Sequence, residues 1–245
     1  PVIIITQDEA EKNEKSRSKQ VKTWRYKAKN VRDFAFTSSR KFIWDAMGVK
    51  FGNRTVMAMS YYPKEANPLY ERYSTRAVAH TLRVYSKYTF DYPYPVAISV
   101  EASNGMEYPM ITLDGGADPG YRDLLAHEIG HMWFFGQVGN NETYRPLLDE
   151  GFTQFLTAWA MIKIDGEYMI EYDPARNNKW AQKFKRPFLA IDSEIYYSYI
   201  NDATKYNDPI ISTHSDGFNG ALRHENGYRP VSYTHLRAHE TPEQR

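Results

Sequence analysis

Four residues have the types and spacing that metal chemistry needs: His127, Glu128 and His131 in one short run, and Glu150 further on. Residues four apart on a helix project from one face about one turn apart, so His127 and His131 make a two-point clamp for a cation. Zinc takes neutral imidazole nitrogen and carboxylate oxygen in a tetrahedral shell, and a catalytic centre keeps the fourth position for water. Two histidines and one carboxylate would fill the other three. Glu128 neighbours His127 and points beside the ion, where it can take a proton from the bound water as general base. The third ligand must then come from a separate element. Glu150 is placed for this, because it follows Leu147-Leu148-Asp149 and begins the amphipathic run Gly151-Phe152-Thr153-Gln154-Phe155-Leu156. Two antiparallel helices would bring it back to the histidines.

The elements that must position these residues follow from periodicity. A helix over 124–135 turns Leu125, Ile129 and Trp133 to the core while His127, Glu128 and His131 face a cleft. A second helix runs over about 150–164, with Thr153 and Gln154 as candidates to brace a ligand. Upstream, Val21 to Phe36 alternates as strands, Val56 to Tyr62 is a short strand, and a long helix spans about 69–89. Val96, Ile98 and Val100 alternate with Ala97, Ser99 and Glu101 as a half-buried strand. Residues 114–120 (DGGADPG) form a turn-rich loop before the histidine helix. From Asp165 to Asn226, apolar clusters and Asp-Pro or Asp-Gly breakers suggest short helices and loops. His214 and His224 there lack a second histidine at ligand spacing.

Composition narrows the partners. The 245 residues are 42% hydrophobic and 25% charged, enough for a sizeable core in one large or two smaller domains. A net charge of +1 gives no electrostatic footprint for nucleic acid or for an anionic membrane surface. No cysteine is present, so a zinc site has to use histidine and carboxylate. Val2 to Ile5 is too short for a signal core or a membrane span. The start at Pro1 suggests that the true N-terminus lies upstream, which leaves localisation unreadable.

His127-Glu128-x-x-His131, 18 intervening residues and Glu150 followed by Gly151-Phe152 resemble the M1 family of zinc aminopeptidases, which are gluzincins. Asn104-Gly105-Met106-Glu107-Tyr108-Pro109 resembles the family's GxMEN segment, with Tyr108 where the pattern has asparagine. The resemblance implies that Gly105, Met106 and Glu107 belong to the substrate site, and that Glu107 receives the substrate's free α-amino group. Such a carboxylate lets an exopeptidase count from the chain end while the metal polarises the first peptide carbonyl. One zinc ion and peptide substrates with a free N-terminus are implied with it.

The same resemblance implies an α+β fold: residues 1–58 as the last strands of an N-terminal β domain, then 59–230 as an incomplete thermolysin-like catalytic domain. Family domains upstream and downstream would be missing. Residues 231–245 (VSYTHLRAHETPEQR) look like a translated sequencing adapter, which makes the His235, His239 and Glu240 grouping a decoy. That tail falls where the family carries its oxyanion-stabilising tyrosine. Tyr233 is the nearest candidate and lacks the expected lysine, so the role is not assigned. Two further readings are a gluzincin endopeptidase, which needs no amine anchor, and a zinc-binding fragment without turnover.

Overall fold

A computed structural model describes residues 2–3, 25–103, 105–115, 120–142, 144–165 and 203–206. Its centre is a mixed five-stranded sheet. Strands β3 (Ile43–Phe51) and β4 (Arg54–Tyr62) form an antiparallel hairpin in which Phe51 pairs with Arg54. Gly52, at φ +56°, supplies the positive φ that a two-residue hairpin turn needs. β5 (Val96–Glu101) lies parallel to β4, and β7 (Ile111–Asp114) parallel to β5. The three-residue strand β6 (Met106–Tyr108) closes the edge antiparallel to β7, so the order is β3-β4-β5-β7-β6. Two-residue strands β1 (Val2–Ile3) and β2 (Tyr26–Lys27) pair separately.

A parallel pair needs a crossover, and helix α1 (Thr75–Tyr88) supplies it between β4 and β5. Val78, Leu82 and Tyr85 recur at helical spacing and are all buried, which seats α1 on the sheet. The expected helix over 69–89 is divided, because Tyr70–Ser74 is a π turn that directs Tyr70 and Ser74 inward. Helix α2 (Gly120–Gly130) and helix α3 (Leu147–Asp165) follow β7. Leu125, Ile129, Trp133, Leu156 and Ala160 join the sheet core.

The structure corrects three expectations. Val96 through Val100 are buried on both faces, because β5 is a central parallel strand and its alternating Ala97 and Ser99 are small enough to pack. Between 28 and 36 there is no strand, and Phe34 and Phe36 are 47% and 67% exposed, so their alternation has no partner strand to satisfy. The histidine helix ends at Gly130 rather than at 135, closing in turns that leave Phe135 at φ 147°. No helix among the described residues is long and apolar enough to cross a membrane.

Candidate metal centre

The site is built where α2 packs against α3. Gly130 leaves no room for a side chain at this contact: a Cβ there would meet Thr153 Cγ2 at 2.9 Å and the Tyr85 ring at 3.4 Å. Phe134 stacks on Phe152 with ring centroids 5.0 Å apart, and Trp133 is anchored by donating its indole N–H to the Phe90 carbonyl at 2.7 Å. His131 is the first residue past α2, yet its backbone N–H still donates to the His127 carbonyl at 3.2 Å. The helical course therefore continues far enough to hold the two rings one turn apart. Glu150 stands in the first turn of α3, its N–H donating to the Pro146 carbonyl at 3.0 Å.

These three side chains converge on one point. His127 Nε2 is 3.1 Å from Glu150 Oε2 and 3.1 Å from His131 Nε2, and His131 Nε2 is 3.3 Å from Glu150 Oε2. A tetrahedral shell with bonds of about 2.0–2.1 Å has donors about 3.3 Å apart, so the spacing fits one small cation. The tautomer fits as well. His131 Nδ1 lies 3.3 Å from the Phe134 carbonyl and 3.4 Å from Thr153 Oγ1, which favours the proton on Nδ1 and leaves Nε2 as a ligand. Thr153 thus stands where it can brace a ligand.

Electrostatics lead to the same requirement. His127 is lowered by burial, against the hydrogen bond and charge of Glu150. In His131 burial also opposes the charge, but the Glu150 hydrogen bond and the charges of Glu107, Glu150 and Glu128 outweigh it and raise the imidazole to about 10. Glu150 is held well below the usual carboxylate range: burial opposes its charge, and both histidine hydrogen bonds overcome that. A positive charge, either a proton on His131 or a cation, satisfies the cluster.

Glu128 is 6% exposed, and burial pushes its carboxyl up to about 9, with His131 opposing and Glu107, Asp114 and Glu150 adding. Its Oε2 is buried without a hydrogen-bond partner. Gly105 explains itself here, because a Cβ at that position would lie 2.3 Å from Glu128 Oε1 and 2.8 Å from Leu124 Cδ1. Donor atoms of Glu107, Glu128 and His131 lie within 4.8 Å of one another. Met106 is 41% exposed, and strand alternation turns its side chain to the face opposite Glu107.

Two carboxylates escaped sequence reasoning. Oxygens of Glu142 and Asp149 come within 4.8 Å of each other and of Glu107. Asn140 donates to Asp149 Oδ1 at 2.9 Å. Burial raises Glu142 to about 7 and Asp149 to about 6. Asp149 directly precedes Glu150, the one cue that could have brought it in. His214, His224, Tyr233, His235, His239 and Glu240 lie outside the described residues.

No family model matches the chain, and no curated protein matches it either. Solved structures that it resembles include an M1 zinc metallopeptidase from Deinococcus radiodurans, at 22% identity and a TM-score of 0.43, over 59% of this chain and 32% of that one. Another is Legionella pneumophila aminopeptidase A in complex with aspartic acid, at 16% identity and a TM-score of 0.46, over 53% and 17%. Yeast LTA4 hydrolase in complex with bestatin aligns at 20% identity and a TM-score of 0.38, over 50% and 21%. The chain spans about a third or less of the length of these structures.

Proposed function

We propose that this chain carries the centre of an M1-like zinc aminopeptidase with a thermolysin-like catalytic fold, acting on the N-terminal peptide bond of peptides. The convergence of His127, His131 and Glu150 donor atoms at 3.1–3.3 Å is the observation that carries the reading. These three residues would hold one zinc ion, which polarises the scissile carbonyl and lowers the pKa of a water molecule. Glu128 is the general base: its unpartnered Oε2 takes the proton of the attacking water and passes it to the leaving amine. Glu107, within 4.8 Å of Glu128 and of His131 in donor-atom distance, receives the substrate's α-ammonium and sets the cut at the first bond.

The test is zinc content measured beside hydrolysis of aminoacyl fluorogenic substrates and their N-acetylated forms, for the chain and for Glu128→Gln. About one zinc per chain, turnover of free-amine substrates only, and a loss of about 10²–10⁴-fold in Glu128→Gln with zinc retained would support the reading. Equal cleavage of acetylated substrates would turn it towards an endopeptidase. Absence of zinc binding would refute the assigned centre, and stoichiometric zinc without turnover would leave a binding module.

A further inference from the structure

The sheet carries a buried polar row that the proposed chemistry does not use. Strand register aligns Ser60 of β4 with Ser99 of β5, Ser99 with Thr112 of β7, and Thr112 with Glu107 of β6. Residues paired in register share a face, so these hydroxyls and the Glu107 carboxylate lie on one side of the sheet. Ser60, Ser99, Thr112 and Asp114 are all 0% exposed.

Their hydroxyls drain towards Asp114. Ser99 Oγ donates to Asp114 Oδ2 at 2.6 Å, and Thr112 Oγ1 donates to the same oxygen at 2.9 Å. Ser74, brought in by the π turn, shares a 2.6 Å bond with Ser60, donates to Ser99 at 3.5 Å, and accepts from the Tyr121 hydroxyl of α2 at 2.8 Å. Tyr70 O–H donates to the Asp114 backbone carbonyl. The carboxylate thus ties β5 to β7, and the Ser74 and Tyr121 hydroxyls extend the row to the π turn and the histidine helix.

Strand β6 needs that anchorage. It is three residues long and, among the described residues, lies at the sheet edge and pairs only with β7. Its connection to β7 is Pro109-Met110, with Met110 at φ 69°, a conformation that disfavours a bulky side chain by about 1–2 kcal/mol. Such strain persists where the surroundings over-determine it. Met110 is 1% exposed, and its carbonyl accepts the Ile98 N–H at 2.9 Å. A one-residue slip of β6 would turn Glu107 to the opposite face.

We infer that Asp114 is a positioning residue for Glu107: by accepting Ser99 and Thr112 on one oxygen it fixes β7 and so holds edge strand β6 in register beside the metal centre. The functional meaning rests on the amine-anchor reading of Glu107; the structural meaning does not.

Amide hydrogen exchange of the zinc-loaded chain tests it, with Asp114→Ala, Asp114→Asn and Thr112→Val. Asp114→Ala is expected to speed exchange in residues 105–110 about tenfold or more while leaving residues 121–130 unchanged. Asp114→Asn, which keeps an acceptor for both hydroxyls, should restore slow exchange. Thr112→Val should act in the same direction as Asp114→Ala and carries the test should Asp114→Ala not fold. Unchanged exchange at 105–110, or a uniform rise across the chain, overturns the inference. In turnover assays, the positioning role should raise KM for free-amine substrates more than it lowers kcat. Failure of the amine-anchor reading shows separately, as a Glu107→Ala chain that keeps its preference for free N-termini whatever the exchange data give.

Discussion

Two of the buried polar clusters among the described residues are held together differently. Around Asp114, donors meet an acceptor: Ser99 and Thr112 both donate to one oxygen, and Tyr121 and Ser74 continue the chain of hydroxyls. Around His131, each contact needs a proton or a cation between two atoms that can both accept. Two imidazole nitrogens and one carboxylate oxygen face one point, with Glu128 Oε2 unpartnered nearby. The first holds strands through donors on one carboxylate oxygen, Asp114 Oδ2, while Oδ1 is buried without a partner; the second closes only with a positive charge, proton or cation, between its atoms.

Zinc dependence of stability should separate the two clusters most strongly. Ligand that binds only the folded state stabilises by about 2.7 kcal/mol at a hundredfold excess over Kd. Thermal unfolding of the chain should therefore move upward as free zinc rises, and Glu150→Gln should abolish the shift. Asp114→Asn should preserve it. A zinc response surviving in Glu150→Gln would place the cation elsewhere.

The second contrast is with pH. Burial raises Asp114 from 3.8 to about 6, and the Ser99 and Thr112 hydrogen bonds only partly offset it. Between those values the folded chain holds a proton that the unfolded chain has released, so stability is full below about pH 4 and falls as pH rises through 6. The difference is worth about 2–3 kcal/mol. Urea unfolding in chelator, compared with Asp114→Asn, isolates this group, because the other raised carboxylates are common to both proteins. A wild-type slope no steeper than that of Asp114→Asn between pH 4 and 6 would contradict the assignment.

The cluster around His131 was legible in the sequence and the one around Asp114 was not, for a physical reason. His127, Glu128 and His131 are neighbours on one helix, so helix geometry alone converts their spacing into a site. Glu150 needed only one further packed helix. Ser60, Ser99, Thr112 and Glu107 come together through sheet register, and hydroxyl residues carry no chemical mark of their own. Glu142 and Asp149 went unread because their meeting with Glu107 depends on the course of the chain after Gly136. The half-buried reading of 96–101 failed because Ala97 and Ser99 suit a buried face as well as an exposed one.

Gly105 leads into β6 and lies against Glu128. Gly105→Ala puts a methyl 2.3 Å from Glu128 Oε1, so either the carboxylate or β6 must move. Overpacking of this kind costs about 1–3 kcal/mol. Turnover should fall while zinc content stays, because none of the three proposed ligands is displaced. Wild-type turnover in Gly105→Ala would mean that Glu128 yields without consequence.

The smallest effect belongs to the far end of the row. Ser60 shares its one 2.6 Å hydrogen bond with Ser74, and removing it still leaves Ser74 with the Tyr121 donor and the 3.5 Å approach to Ser99. Ser60→Ala should therefore cost about 1 kcal/mol, the net worth of one neutral hydrogen bond, with no change in zinc binding and little change in exchange at 105–110. Chemical denaturation resolves a difference of that size. A loss of 3 kcal/mol or more would be outside the range of one neutral bond, and would mean that the hydroxyls act as a cooperative unit. Asp114 would then be the end of a chain running from β4, and the anchorage of Glu107 would depend on the whole row rather than on its last two donors.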